Sequence, residues 1–120
     1  MSILIVDDTI EHRVLVERLL NTAGYTKTIT ATSAEDAFAI LGIGQDGAAV
    51  PPVDVILLDI MMPGVNGLEA CRTIKNDVRL AEIPIVMVTA NTDTESLRKA
   101  FMAGATDYIR KPVIPEELVA

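Results

Sequence analysis

Aromatic residues are scarce in this sequence. It contains no tryptophan, two phenylalanines and two tyrosines, and this 3% aromatic content leaves too few rings for a surface that stacks nucleic acid bases. Lysine and arginine number 10 against 17 aspartates and glutamates, and the net charge of -7 argues against contacts with nucleic acid phosphates. The acidic balance fits a domain that binds cations or basic partner surfaces, although solubility alone explains it equally well. Direct nucleic acid binding by this domain is therefore not expected.

Cysteine and long apolar runs are also lacking. The single cysteine, Cys71, has no partner for an internal disulfide, and its place in a helical pattern predicts a small core residue. No apolar run approaches the roughly 18 residues that span a bilayer, and the N-terminus lacks the basic and cleavable apolar regions of a signal peptide. We therefore expect a soluble cytoplasmic protein without membrane contact. Residues 1–120 fit the size of one domain.

One stretch combines an apolar run with a carboxylate. Val55 to Leu58 are all branched and apolar, Asp59 follows, and Pro63 and Gly64 come shortly after. An unbroken apolar run is typical of a strand covered on both faces, as in parallel sheets. Proline and glycine end such a strand. Asp59 is therefore predicted to lie at the carboxyl edge of the sheet and to face an open crevice.

At the start of the chain the apolar run Ile3 to Val6 is likewise followed by the acids Asp7 and Asp8. Segments with helical spacing lie between the apolar runs. The predicted strands are residues 3–6, 26–32, 55–59, 85–88 and 107–109, and the predicted helices are 11–23, 34–41, 66–75, one that begins near 92 and a last one that begins at 115. Residues 42–52 are predicted to form a surface loop because they are rich in glycine and proline. The first helix carries Leu15, Val16, Leu19, Leu20 and Ala23 at helical spacing, and the helix that begins near 92 carries Leu97, Ala100 and Phe101.

Strands that alternate with helices require right-handed crossovers and a parallel sheet. We predict a flavodoxin-like, doubly wound α/β fold with five parallel strands in the order 2-1-3-4-5, helices on both faces and a truncated final helix. In such a sheet the ligand crevice lies beyond the carboxyl ends of the strands. The polar residues that follow the predicted strands all fall on that edge: Asp7, Asp8, Asp59, Thr89 and Lys111.

Three carboxylates at one edge would repel one another unless a cation lies among them. If strands one and three are neighbours, Asp7, Asp8 and Asp59 converge, and their oxygen ligands suit Mg²⁺ better than a soft metal. Aspartate can also act as a nucleophile and form an acyl phosphate. Asp59, alone on the central strand, is the candidate, with Lys111 and Thr89 placed to contact phosphoryl oxygens.

Four segments together resemble the receiver domain of two-component response regulators over nearly the whole chain. They are Ile3 to Asp8, Leu58 to Gly67, Val88-Thr89-Ala90 and Lys111-Pro112. The resemblance implies that Asp59 is the phosphoacceptor and takes its phosphoryl group from a sensor histidine kinase or a phosphotransfer protein. It implies that Asp8, Asp59 and the backbone carbonyl of Met61 hold Mg²⁺, and that Asp7 acts largely through a water molecule.

The resemblance also implies a switch and an output surface. Thr89 and Tyr108 would be the switch pair, and helix four, strand five and helix five would form the surface that changes. Met61 and Asn91 would tune the lifetime of the acyl phosphate. Such a domain is not an enzyme in its own right, although it assists its own aspartyl phosphorylation and dephosphorylation.

Two features depart from the family pattern. The connection at 42–52 is longer than in the plainest members, and the final helix has about one turn. The short helix suggests the N-terminal part of a longer protein, with an output domain beyond Ala120 or a separate effector. Family members often pair through helix four, strand five and helix five, so the short final helix removes part of the surface through which a phosphorylation-dependent homodimer would form.

Three other interpretations use the same residues. An aspartate-nucleophile phosphatase of the haloacid-dehalogenase type needs a second acid at the position of Met61. A flavin-binding module would need a phosphate-cradling loop where this chain has Asp8 to Glu11. A passive, receiver-like interaction domain would not need all five polar residues at the edge. The only histidine, His12, lies near the start of a helix without a phosphotransfer bundle, so a phosphodonor role for it is not expected.

Overall fold

A computed structural model describes residues 2–44, 52–60, 62, 64–89 and 94–110. Strands and helices alternate along these residues. In chain order they are β1 (Ser2–Val6), α1 (Ile10–Thr22), β2 (Lys27–Ala31), α2 (Ala34–Leu41), β3 (Val55–Asp59), α3 (Gly67–Lys75), β4 (Ile85–Thr89), α4 (Thr94–Met102) and β5 (Asp107–Arg110).

The described strands form one parallel sheet in the order β2-β1-β3-β4-β5, which confirms the predicted fold. Strand order reverses between β1 and β3, because the chain leaves β1 for β2 on one side and later returns to β3 on the other. This reversal opens a crevice between the helix that follows β1 and the helix that follows β3. The carboxyl ends of β1 and β3 lie beside this crevice.

Apolar side chains pack on both faces of the sheet, as the unbroken apolar strands predicted. On one face, Leu4, Ile56 and Ile85 belong to a cluster that includes residues of α2, α3 and α4. On the other face, Ile3, Ile5 and Leu57 pack with Val16 and Leu20 of α1. Successive residues along each strand thus point to opposite faces of the sheet and belong to different core clusters.

Two of the helices have an N-cap residue whose side chain accepts a backbone hydrogen bond from the first turn. The Ser33 hydroxyl accepts a hydrogen bond from Asp36 N at 3.0 Å, and the Asn66 side chain accepts one from Glu69 N at 3.0 Å. The predicted capping box at Ser33 is present in a modified form, because the Asp36 carboxylate reaches Thr32 N at 3.0 Å. Asn66 fixes the start of α3, directly after the segment that follows β3.

Two apolar residues of the predicted helices are exposed. Leu15 of α1 has 42% of its surface exposed and Phe101 of α4 has 47%. A helix that packs on a sheet buries only the stripe that faces the sheet, and a large part of the surface of these two side chains lies outside that stripe. Val16 and Ala100, their sequence neighbours, are buried instead.

Several predictions fall outside the described residues. They concern most of the 42–52 loop, the start of the helix near 92, the short last helix from Pro115, and the site residues Met61, Asn91 and Lys111. These remain predictions. Among the helices that are described, none has both the length and the apolar composition that a membrane crossing requires.

Candidate functional site at the carboxyl edge of the sheet

Asp59 is the last residue of β3, and its side chain is only 2% exposed. It is paired in register with Val88 of β4, and Ile60 N continues the ladder by donating to Val88 O at 3.3 Å. The apolar residues before Asp59 anchor the strand between the two core layers. The carboxylate is thus held by a rigid central strand at the edge where the prediction placed it.

Asp7 comes level with Asp59 on the neighbouring strand. The last pair of the β1–β3 ladder joins Val6 to Leu58, so the next residue on each strand is an aspartate. Asp7 N donates to Ala31 O at 3.1 Å, which extends the pairing with β2 by one residue. Asp7 is 2% exposed, whereas Asp8 is exposed.

The three acids converge as predicted. One carboxylate oxygen from each of Asp7, Asp8 and Asp59 can be chosen so that the three atoms lie within 4.8 Å of one another. Three negative groups at this separation repel, and a divalent cation among them relieves that repulsion. The donors are all hard oxygens, and two of them are held by buried strand ends. The residues present therefore fit a small, hard cation such as Mg²⁺.

Thr89 lies one strand further along the same edge. It ends β4 one residue beyond the Asp59–Val88 pair, and it is fully buried. Its contact with a phosphoryl group stays a prediction.

Tyr108 lies on β5, where it pairs with Met87 of β4. Its ring is half-buried and meets Phe101 of α4 edge to face, with ring centroids 6.2 Å apart and planes at 80°. This contact joins β5 to α4. It also gives the partly exposed Phe101 ring a packing contact.

The N-cap and first turn of α1 hold Asp7 through three groups that sequence reasoning missed. Thr9 N donates to Asp7 Oδ1 at 2.9 Å, and Arg13 donates from its guanidinium to the Asp7 carbonyl at 2.7 Å. The His12 ring contacts Asp7 Oδ2 through Nδ1. The signal was their spacing, since His12 and Arg13 lie three and four residues after the N-cap Thr9 and so face the same side of the helix start.

Gly67 is another residue whose role the sequence did not reveal. It opens α3, is buried, and donates from its backbone N to Ile60 O at 2.9 Å. A Cβ at this position would lie 2.3 Å from Asp59 O and 2.6 Å from Ile60 Cα. The absence of a side chain lets α3 approach the end of β3 and fixes the backbone that carries Asp59.

Comparisons with known proteins agree with this arrangement. The family model described as the response regulator receiver domain matches residues 3–120. The DNA-binding response regulator MtrA of Mycobacterium tuberculosis is 38% identical over 118 residues, which cover 94% of this chain and 50% of MtrA. The phosphate regulon transcriptional regulatory protein PhoB of Pseudomonas aeruginosa is 38% identical over 119 residues, which cover 99% of this chain and 48% of PhoB.

A solved structure gives the same result. The chemotaxis protein CheY4 of Vibrio cholerae superposes with a TM-score of 0.85 at 31% identity, covering 98% of this chain and 92% of that one. The chain spans about half the length of the two curated relatives. From the match over residues 3–120 and the shared fold, the chain belongs to the response regulator receiver domains of two-component systems.

Proposed function

We propose that Asp59 accepts a phosphoryl group from a histidine on a sensor kinase or phosphotransfer protein, and that the phosphorylated domain is a signalling switch. The observation that carries this proposal is the convergence of three carboxylate oxygens within 4.8 Å at the ends of β1 and β3. A cluster of this kind suits a phosphoryl group only when a cation is bound with it. Asp7, Asp8, Asp59 and the backbone carbonyl of Met61 are the residues proposed to hold Mg²⁺.

The reaction is a transfer between two nucleophiles. An Asp59 carboxylate oxygen attacks the phosphorus of the phosphohistidine, a P–O bond forms and the P–N bond breaks. The electron pair of the broken bond stays on the imidazole nitrogen, which leaves as a neutral ring when its other nitrogen is protonated. Mg²⁺, when bound, supplies positive charge to the phosphoryl oxygens as negative charge builds on them.

Residues of this chain supply the remaining contacts. The Thr89 hydroxyl is proposed to donate to one phosphoryl oxygen, and the Lys111 ammonium to pair with another. The burial of Asp59 and Thr89 keeps bulk water from the carboxylate. Met61 and Asn91 are proposed to tune the lifetime of the acyl phosphate by controlling the approach of a hydrolytic water. In this way the domain assists its own phosphorylation and dephosphorylation.

The signal is proposed to leave through the side of the domain formed by α4, β5 and the residues that follow. Phosphorylation adds charge and acceptor oxygens at Asp59, which favours a state in which Thr89 moves toward them. Tyr108 would then turn inward and lose its edge-to-face contact with Phe101. Because Phe101 is already half-exposed, this movement would change a surface that a partner can reach.

The wider context is also a proposal. The relatives' names describe a DNA-binding response regulator and a transcriptional regulatory protein, and this chain covers about half of each. We infer that residues 1–120 are the receiver part of a longer regulator, with an output domain beyond Ala120 or a separate effector. Homodimerisation through the α4–β5 side is one form of output that this proposal allows. DNA contact would belong to an output domain, since the net charge of this one is -7.

The test is phosphorylation by a small donor. The protein is incubated with acetyl phosphate and Mg²⁺, and intact mass spectrometry counts phosphoryl groups. We expect one adduct on the native chain, and none with EDTA or in Asp59→Asn. A passive interaction domain would show no adduct on the native chain. An adduct that persists in Asp59→Asn would also overturn the proposal.

A further inference from the structure

His12 makes a contact that the proposed phosphoryl transfer does not use. Its Nδ1 atom is hydrogen-bonded to Asp7 Oδ2, and the His12 side chain is 15% exposed while that of Asp7 is 3% exposed. An ionised carboxylate only accepts hydrogen bonds, so Nδ1 is the atom that carries the proton. The ring thereby covers Asp7 on the side that faces α1.

The other hydrogen bond to this carboxylate comes from the backbone. Thr9 N donates to Oδ1 at 2.9 Å, so each oxygen of Asp7 accepts one bond from the chain. A carboxylate has about four acceptor positions, and contacts among the residues that the structure describes use two of them. Of these two bonds, the one from His12 depends on a side chain. A substitution at His12 can therefore remove it without changing the backbone contact.

The second ring nitrogen, Nε2, indicates which nitrogen of the His12 ring carries the proton. Nε2 is buried and has no hydrogen-bond partner among the residues that the structure describes. A proton there would be a buried donor without an acceptor, which costs more than a bare lone pair. The arrangement therefore corresponds to the Nδ1–H tautomer, chosen by the bond to Asp7.

We propose that His12 is a positioning residue for the cation site, and this inference rests on the proposed function. It holds the Asp7 carboxylate in the orientation that brings one of its oxygens within 4.8 Å of those of Asp8 and Asp59. His12 acts through Asp7 and is not itself a ligand. Groups that orient a metal-binding side chain typically change metal affinity by 10–100-fold when they are removed.

The test measures Mg²⁺ binding by titration calorimetry, without any phosphoryl donor. His12→Leu keeps the bulk of the ring and removes the donor, so we expect its Kd for Mg²⁺ to rise by about tenfold or more. His12→Asn places an amide N–H near the position of Nδ1 and should restore most of the affinity. Val14→Ala, on the exposed side of the same helix, is the control and should bind as the native chain does.

Acetyl phosphate labelling separates affinity from chemistry. At saturating Mg²⁺ the labelling rate of His12→Leu should approach that of the native chain, whereas the Mg²⁺ concentration for half-maximal rate should rise. An unchanged Kd in His12→Leu, or an equal loss in His12→Asn, would contradict the inference. If either occurs while the native chain is still labelled on Asp59, the proposed function survives and only the role of His12 is wrong.

A measurement on the native chain decides the matter if His12→Leu does not fold. His12 is the only histidine, so its ring nitrogens give an unambiguous signal in long-range ¹H–¹⁵N spectra. In the Mg²⁺-loaded protein we expect the Nδ1–H tautomer. A dominant Nε2–H tautomer would refute the inference, because Nδ1 could not then donate to Asp7. Normal Mg²⁺ binding and the Nδ1–H tautomer, together with no labelling of Asp59, would refute the proposed function and leave the role of His12 intact.

Discussion

Gly67→Ala should disable the site by moving the strand end that carries Asp59. The added Cβ would lie 2.3 Å from Asp59 O, 2.6 Å from Ile60 Cα and 2.9 Å from the Asp59 carbonyl carbon. Ordinary van der Waals contact begins near 3.4 Å, so α3 and the end of β3 must separate by about 1 Å. All three atoms belong to the backbone, and no side-chain rotation can relieve the overlap.

The separation has two measurable costs. Overpacking of this kind typically destabilises by 1–3 kcal/mol, and we expect about 3 kcal/mol here because only backbone can yield. A displacement of about 1 Å at a reacting group can lower a rate by about 100-fold. Urea unfolding measures the first effect, and the rate of acetyl phosphate labelling measures the second.

A second glycine provides the control. Gly24 has φ of 99° and no atom within 4 Å of an added Cβ. Gly24→Ala therefore introduces a strained backbone conformation without a clash, at a cost of about 1–2 kcal/mol, and it lies far from the acidic edge. It should lower stability and leave the labelling rate unchanged. If Gly67→Ala labels at the native rate, or loses no stability, the argument that this glycine positions Asp59 is refuted.

Two further predictions concern groups outside the site. The Arg79 side chain hydrogen-bonds Asp77 and holds the pKa of that carboxyl below its usual value, so the carboxylate stabilises the fold above about pH 4 and loses this effect as the pH falls through the lowered pKa. Asp77→Asn should therefore reduce the free energy of unfolding at pH 7, and the difference from the native chain should vanish at low pH; a difference that persists in acid would contradict the assignment. Burial raises the pKa of the Cys71 thiol, whose Sγ donates to Ala103 O at 3.4 Å. Iodoacetamide should modify Cys71 only at the rate of unfolding, and rapid modification of the folded protein would show that the α3 side of the core is open.

The sequence predicted the features that depend on the order of residues along the chain. Unbroken apolar runs gave β1, β3 and β4, and the residue after each run gave Asp7, Asp59 and Thr89, because a strand delivers its last residue to the sheet edge. The strand order followed from the fold class, and with it the convergence of the acids. These properties depend on pattern and topology, not on individual contacts.

The details that were missed depend on three-dimensional packing. Helical spacing indicates which apolar residues can share a face of a helix, but which of them are buried is set by how each helix docks on the sheet, and Leu15 and Phe101 remain exposed. His12 seemed unremarkable because its contact partner precedes the helix that carries it. The sequence indicated only that Gly67 lies at the start of a helix, whereas the close approach of its backbone to Asp59 O depends on how α3 packs against the end of β3.

The central claim is that Asp59 itself carries the phosphoryl group, and borohydride reduction tests it most directly. Borohydride converts an aspartyl phosphate to homoserine, and peptide mass spectrometry then identifies the position. After incubation with acetyl phosphate and Mg²⁺, homoserine should be found at position 59 of the native chain and should be absent when EDTA is present. Homoserine at position 7 or 8, or none at any position in a folded protein with Mg²⁺, would contradict the account.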